Sequence, residues 1–373
     1  MAKRVPEHDD DVNGEDDLTR AGVSEPRFRG RATIRDIADL AGVSIATVSR
    51  VLNDRPDVAP DTRENVLQVV REQGFKRAAR QAQPQQPPSP RRSPERSGSI
   101  GLTLPLVNDA YFGPMLFGAS EALYEADMRI VICPTLHEHD REVSLVERLM
   151  RGGSTDGAIL VLPEEREDEL LALRRQGYPF VVVDPRDPPP EGIPCVSAMH
   201  AAGAKQATEH LLELGHRRIG AIAGSPGWYA TEERLHGFRA ALAGAGILPE
   251  PELIVYSDWR TPRGIEAAEQ LLALPEPPTA IFAFNDNVAI GVLHAARRRG
   301  ISVPEDISVV GFDDTAQAEI VIPTLTSVRQ PLAEMGRMGV SLLLRLLDGQ
   351  RIEALRLELS TGLVVRESTA PPR

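Results

Sequence analysis

Arg50 lies within two helical turns of three hydroxyl side chains, Ser44, Thr47 and Ser49, and of two small apolar residues, Ile45 and Ala46. A guanidinium can pair in bidentate fashion with the O6 and N7 of guanine, and hydroxyls can hold phosphates or base edges. The chemistry open to this set is therefore the reading of double-stranded DNA. Two other groups invite a catalytic reading. His216-Arg217-Arg218 is a basic cluster, and Asp313-Asp314 is a carboxylate pair of the kind used in general acid–base work. Adjacent residues at a strand end point apart, however, and no nucleophile or metal set accompanies the two aspartates. A dinucleotide fingerprint is missing too: Ile219-Gly220-Ala221-Ile222-Ala223-Gly224 has small residues without the Gly-x-Gly-x-x-Gly spacing. Cys133 and Cys195, the two cysteines of the chain, sit in neither a Cys-x-x-Cys nor a Cys/His cluster. They read as buried thiols in a reducing compartment, with no zinc site. No enzyme, cofactor or metal is expected.

The elements that must position Arg50 are legible. Thr33-Ile34-Arg35-Asp36 has the pattern of a capping box opening a first helix, with Ile37, Ala38 and Ala41 on its inner face. Gly42 supplies a tight turn, and Ser44 can cap a second helix whose buried stripe is Val48, Val51 and Leu52. Ile45, Ala46, Thr47, Ser49 and Arg50 fall on the other face. Two short helices joined in this way define a helix-turn-helix, whose second helix enters a major groove. A third helix begins near Pro60, with Asp61 and Glu64 at its positive end and Val66, Val69 and Val70 on its apolar face. By periodicity alone, a three-helix domain that binds protein instead stays open.

At 373 residues the chain is long enough for two or three domains and for a core that needs no disulfides. Residues 1–30 are polar and charged without apolar periodicity and read as a disordered acidic tail. Residues 31–80 read as the helical unit, and 81–97 as a linker rich in proline (Pro84, Pro87, Pro88, Pro90 and Pro94). From residue 98 to about 370, short apolar runs alternate with amphipathic helices. The runs include 100–104, 130–132, 158–162, 180–183, 219–222, 280–283 and 307–310. Continuous apolar runs suit strands buried on both faces, and helices between them imply parallel sheets. Their number favours two lobes. In such folds ligands bind beyond the carboxyl ends of the strands. The net charge of -12 argues against indiscriminate nucleic-acid binding, but the segment from Arg31 to Arg80 is mildly basic. Neither a membrane span nor the apolar core of a secretion signal is evident, so a cytoplasmic protein, on the nucleoid when bound to DNA, is expected.

Thr-Ile-Arg-Asp-Ile-Ala-Asp-Leu-Ala-Gly-Val-Ser-Ile-Ala-Thr-Val-Ser-Arg-Val-Leu-Asn at 33–53, followed by Val58 and Thr62-Arg63, resembles the DNA reader of the lactose-repressor/galactose-repressor (LacI/GalR) family. The resemblance implies that Ile45, Ala46 and Arg50 occupy base-reading positions. It places Thr33, Ser44, Thr47, Ser49, Asn53 and Thr62 at phosphate-contacting or bracing ones. Two departures stand out. Ala59 stands where the family caps its third helix with serine, forfeiting roughly 1 kcal/mol. After it, Gly74-Phe75-Lys76-Arg77 lacks the family's Pro and Asn, and Pro84 replaces the leucine that wedges into the minor groove. Pro84, Pro87 and Pro88 cannot sit inside a stable helix, so the usual hinge helix is expected to be absent or shortened. Arg91, Arg92 and Arg96 fit solvated linker charge better than phosphate contacts.

The resemblance continues to about Pro371. Ile100-Gly101 with Tyr111-Phe112, Asp156-Gly157-Ala158-Ile159-Leu160, His210 through Ile219, Gly237-Phe238-Arg239, Asn285-Asp286, Pro304 through Asp314 and Pro323-Thr324-Leu325-Thr326 follow in the family's order. This implies an N-terminal all-α helix-turn-helix domain plus an α/β sensor like the periplasmic binding proteins, with two Rossmann-like parallel-sheet lobes around a ligand cleft. His216-Arg217-Arg218 then falls at a helix-to-strand turn without chemistry.

A sugar asks for planar bidentate partners for its hydroxyls and an aromatic face for its ring. By resemblance Arg234 is the clamping arginine, Asp313 and Asn285 are hydroxyl acceptors, and Asp184 is an acceptor from the first lobe. Trp259 lies where some members stack an aromatic ring, and Tyr111 and Phe112 close the other side. A structural ion pair for Arg234 and Asp313, end-capping for Asp184 and Asn285, and core packing for Trp259 and Tyr111 are the blander alternatives. Trp228 has no counterpart. The expected whole is a homodimeric regulator, by default a repressor, that reads a near-palindromic operator under control of a small sugar. Its dimer face would lie on the first lobe near Gly118–Leu123, and no leucine-heptad tail follows Val365 to make a tetramer. A sugar-binding protein with a vestigial reader, and a purine effector, remain as rivals.

Overall fold

The computed structural model describes residues 34–52, 58–73, 96–107, 109–151, 153–188, 191–350, 352 and 354–373. The acidic tail, Thr33, Asn53, the segment Gly74 to Arg77 and the proline-rich stretch through Arg91, Arg92 and Pro94 lie outside these residues, as does the question of the hinge helix. The chain divides into two compact units, 1–91 and 92–373.

In the first unit, α1 (Ile34–Ala41), α2 (Ile45–Leu52) and α3 (Pro60–Glu72) close around Ile37, Ala38, Ala41, Val48, Val51, Val66 and Val69. Helices of eight residues are marginal alone, so this shared core is what holds α1 and α2. The turn between them needs a residue with positive φ, and Gly42 supplies it at +66°. Ser44 Oγ accepts the Thr47 amide at 3.1 Å, which satisfies an orphan N–H in the first turn of α2. Asn65 Nδ2 donates to the Ala41 carbonyl at 3.0 Å and pins α3 to the end of α1. Ala59 makes no side-chain cap, although Pro60 pre-sets the first turn of α3.

The second unit has two lobes. The first lobe holds β1 (Ser99–Leu104), β2 (Arg129–Pro134), β3 (Gly157–Val161), β4 (Phe180–Val183), β5 (Cys195–Ala198) and β11 (Arg356–Leu359), all parallel, in the order β2-β1-β3-β4-β5-β11. The second holds β6 (Ile219–Ala223), β7 (Ile254–Tyr256), β8 (Ala280–Ala283), β9 (Ser308–Asp313), β10 (Thr326–Arg329) and β12 (Gly362–Val364), in the order β7-β6-β8-β9-β10-β12. Here β12 alone runs antiparallel, against β10. Helices α4 (Phe112–Glu125), α5 (His139–Arg151), α6 (Glu167–Arg175) and α12 (Leu332–Leu347) belong to the first lobe. Helices α7 (His200–Glu213), α8 (Tyr229–Gly244), α9 (Thr261–Leu272), α10 (Asp286–Arg298) and α11 (Ala316–Ile320) belong to the second.

The seven apolar runs of the sequence all become strands, with edges shifted by at most three residues. The chain leaves the first lobe after β5, returns after β10 and crosses again between Leu359 and Gly362. Close helix pairs rest on small residues. A Cβ at Gly118 would fall 1.9 Å from the Ala333 carbonyl oxygen, and one at Gly336 would fall 2.1 Å from that of Met115, so α4 and α12 meet backbone to backbone. Among the described residues no helix is long and apolar enough to cross a membrane.

Candidate functional site: a DNA-reading helix and an interlobe cleft

On α2, the first-turn residues Ile45 and Ala46 and the later Arg50 are exposed, while Thr47 and Ser49 are half-buried. Ile45 exposes 46% of its surface, a cost in water that contact with a base methyl would remove. Thr47 Oγ1 lies 2.9 Å from Ser44 Oγ, so these two hydroxyls face the same end of the helix. Thr62 is half-buried in the first turn of α3. The described residues among those expected to read DNA therefore sit at helix N-terminal ends or along α2; N–H groups at a helix N-terminus also favour phosphate.

In the second unit, a cavity of about 310 Å³ opens between the lobes at the carboxyl ends of the strands. Tyr111, Phe112, Asp184, Arg234, Trp259, Asn285 and Asp313 all line it, so all seven predicted cleft residues come together. Topology explains this. Asp184 follows β4, Asp313 ends β9, Asn285 caps α10 just after β8, and Arg234 rises from α8 after β6. Leu162, Asp184 and Asp313 adopt positive φ (50°, 55° and 113°). Such backbone strain in non-glycine residues persists where the surroundings over-determine it, and here it aims strand-end side chains into the cleft.

Arg234 and Asp313 are nearly fully buried, with Nη2 to Oδ1 at 3.8 Å. The guanidinium also donates to the Phe284 carbonyl and lies over the Phe312 ring at 3.8 Å and the Trp259 ring at 5.4 Å. The pair is both a structural ion pair and cavity wall. Burial pushes the Asp313 carboxyl well above the usual carboxylate range, only partly opposed by Arg234. Tyr111 donates its hydroxyl to Asp184 Oδ2 at 2.8 Å, and burial first, then Asp184, push that hydroxyl up. Asn285 is partly committed: its Oδ1 accepts the Val288 amide at 2.8 Å and its Nδ2 donates to the Trp259 carbonyl at 3.0 Å. It therefore caps a helix and also keeps a lone pair and a second N–H for a ligand.

Three further residues belong to the site and carried no clear signal in the sequence. Trp228 lines the cavity beside Trp259, ring centroids 5.7 Å apart. Gly224 makes room for this, since a Cβ there would meet the Trp259 ring at 2.1 Å. Gln330, at the crossing after β10, donates to Asp313 Oδ1 at 2.7 Å and to the Tyr111 hydroxyl at 3.3 Å. It thus bridges the acid of one lobe to the phenol of the other. His200, at the crossing after β5, sits 3.3 Å from Arg234 Nη2. Buried polar atoms without a partner cluster here: His200 Nε2, Arg234 Nε, Trp259 Nε1 and Gln330 Oε1. Such groups are costly unless a ligand or water satisfies them.

The clusters that suggested catalysis are structural. His216 Nδ1 bonds Thr279 Oγ1 (2.9 Å) and its Nε2 bonds Ser308 Oγ (3.0 Å) and the Ala370 carbonyl (2.9 Å), stapling the C-terminal segment. Arg218 pairs with Glu252 at 2.8 Å. Asp314 turns away from Asp313 to take Arg329 and Arg366, each at 2.6 Å. Among the described residues no group of three or more His, Cys, Asp or Glu side chains is placed to hold a metal ion.

Comparison with known proteins agrees with this geometry. The family model for bacterial regulatory proteins of the lacI family matches residues 33–78, and that for the periplasmic binding protein-like domain matches residues 208–369. The HTH-type transcriptional regulator CelR of Thermobifida fusca is 35% identical over 351 residues, covering 91% of this chain and 99% of CelR. DegA of Bacillus subtilis, also an HTH-type transcriptional regulator, is 33% identical over 344 residues, covering 91% and 99%. The solved complex of CelR with cellobiose superposes with a TM-score of 0.68 at 35% identity, covering 91% of this chain and all of that one. These relatives are regulators rather than enzymes, and with the family's N-terminal match and this similarity over nine-tenths of its length, this chain belongs to the lacI family of bacterial regulatory proteins.

Proposed function

We propose that this protein is a sequence-specific transcriptional regulator, acting as a repressor, whose grip on operator DNA is set by a small sugar bound between its lobes. The observation that carries the reading is the convergence of Arg234, Asp313, Asp184, Asn285 and two tryptophans on one cleft. The arginine fork and the carboxylates suit vicinal hydroxyls, and the indole faces suit the C–H surface of a sugar ring. The relative solved with cellobiose supports a sugar of one or two rings over a purine. Ile45, Ala46 and Arg50 read bases; Thr33, Ser44, Thr47, Ser49, Asn53 and Thr62 hold phosphates or brace the reader. Arg50 supplies the directional base contact, because Ile45 and Ala46 offer only apolar surface.

Two half-sites require two readers, so the protein acts as a homodimer on a near-palindromic operator. Phe117 and Tyr124 on α4 expose 60% and 85% of their surface, and Val131 and Ile132 on the edge strand β2 are also exposed. This apolar face of the first lobe suits a second copy. Sugar closes the lobes about the crossings after β5, β10 and β11, and operator and sugar affinities are then reciprocally coupled. The test is calorimetric titration with mono- and disaccharides. One sugar should bind, and Asp184→Ala should abolish it. Binding that ignores Asp184, or none across the panel, would overturn the reading.

A further inference from the structure

His200 opens α7 immediately after the chain leaves the first lobe, and only 2% of it is exposed. Its ring packs edge-on to Tyr229 (6.2 Å, 77°) and against Phe312 (6.0 Å). Its two nitrogens face opposite lobes. Nδ1 lies 3.3 Å from Arg234 Nη2 in the second lobe, and Nε2 lies 3.7 Å from Asp184 Oδ1 in the first. A guanidinium can only donate, so Nδ1 must accept and the ring proton of the neutral histidine must sit on Nε2. Among the described residues that N–H has no hydrogen-bond partner, and Nε2 faces the Asp184 carboxylate.

We propose that His200 is a positioning residue for the effector: its neutral ring holds the Arg234 guanidinium in the cleft, and protonation releases it, so that acid weakens effector binding. Protonation converts Nδ1 from acceptor to donor beside an obligate donor and puts two cations together. The same charge draws the ring toward Asp184. The groups facing His200 are Arg234 and Tyr229 from α8, Asp184 after β4 and Glu358 from β11, with Asp313 beyond Arg234. Burial is the largest influence and lowers its affinity for a proton below the ordinary value of 6.5; the nearby Asp184 carboxylate, with Glu358, opposes this, while Arg234 reinforces it. The ring is thus neutral near pH 7 and charges only as pH falls below that value. Arg234 lies against the Trp259 ring, so its release is visible without any ligand.

The affinity part of this inference rests on the cleft being the effector site; the titration part does not. Both tryptophans of the chain line the cleft, so their emission reports it. In the full-length, ligand-free protein, emission should step with a midpoint below 6.5. His200→Asn keeps an acceptor near the Nδ1 position and cannot titrate, so the step should vanish. His200→Gln moves the amide toward the Nε2 position and removes the acceptor from Arg234. Affinity for a bound sugar should fall about tenfold on acidification in the wild type, stay level in His200→Asn, and be low throughout in His200→Gln. An emission step that survives in His200→Asn overturns the proposal. If no sugar binds, the effector reading fails while the emission step still judges His200. Nitrogen-15 shifts of the wild-type histidines give a check that needs no variant to fold. An Nε2–H tautomer that takes up its second proton only below the ordinary value of 6.5 is expected, and its absence contradicts the assignment.

Discussion

Replacing Arg234 by methionine separates the structural part of the cleft from its recognition part. Methionine keeps most of the packing over Phe312 and Trp259 but removes the guanidinium that lies 3.8 Å from Asp313. Orphaning one partner of a buried ion pair costs about 3–5 kcal/mol. Here the cost sits at the lower end, because burial already favours the protonated Asp313 carboxyl, which still accepts from Gln330. A single Arg234→Met variant should therefore lose roughly 3 kcal/mol at neutral pH. The sign with pH follows. Without Arg234 the Asp313 carboxyl rises further above its unfolded value, so the folded state holds a proton the unfolded state has lost. The loss of stability then grows as pH rises above the usual carboxylate range.

Adding Asp313→Asn removes the carboxyl that must take up a proton once Arg234 is gone. Most of the stability should return, with a coupling energy of about 2 kcal/mol in the cycle. Effector binding should not return. Each charged hydrogen bond is worth about 1.5–3 kcal/mol, so the double variant should bind at least about tenfold more weakly than wild type. Urea denaturation of the two single variants and the double variant reads the first quantity, and calorimetry with the cognate sugar reads the second. Strictly additive destabilisation would refute the coupled pair. Recovered sugar affinity in the double variant would refute the role of these residues as ligand contacts.

Other perturbations follow from the same structure. Arg50→Ala should cost about 1–3 kcal/mol on the operator and relax preference at one base pair, with little change on random duplex, as read by competition binding across half-site variants. Ala59→Ser should add the missing cap of α3 and stabilise the reader by about 1 kcal/mol, seen as slower amide exchange in the first turn of that helix. Glu165 is buried with neither carboxylate oxygen partnered among the described residues, and burial, then the neighbouring Glu142, push its carboxyl up to about 8. Between its ordinary value of 4.5 and about 8 the folded state keeps a proton that the unfolded state gives up. Stability should then decline by up to about 1.4 kcal/mol per pH unit over that window, and Glu165→Gln should flatten the decline in denaturation melts.

Much of this arrangement is visible in the residues alone. Strands such as β3, β4, β6 and β8 bury every residue, so they appear in the sequence as unbroken apolar runs. Asp184 and Asp313 stand at the ends of such runs, where a parallel sheet must present its ligand groups. The edge strands are harder. Arg356–Leu359 alternates exposed charge with half-buried leucine, and Gly362–Val364 is three residues long, so each takes its identity from the strand it pairs with. Cys195–Ala198, Ile254–Tyr256 and Thr326–Arg329 are short and bounded by loops, and show no run of their own.

Gln330 and His200 escape notice for another reason. Both lie at crossings between lobes, and only the three-dimensional path brings Gln330 to Tyr111 and His200 to Asp184. A histidine opening an amphipathic helix carries no mark of burial. Trp228 sits in a glycine-flanked loop whose direction the sequence does not encode.

The most direct test of the account is binding of the full-length protein to DNA from its own promoter region, across a salt series, with and without the sugar found by calorimetry. Tight binding to one near-palindromic site is expected, with weaker binding to random duplex, a steep salt dependence, and a change of at least about fivefold in operator affinity when the sugar is added. Binding that is equally weak on operator and random DNA at every salt, or an operator affinity that the bound sugar leaves unchanged, would contradict it.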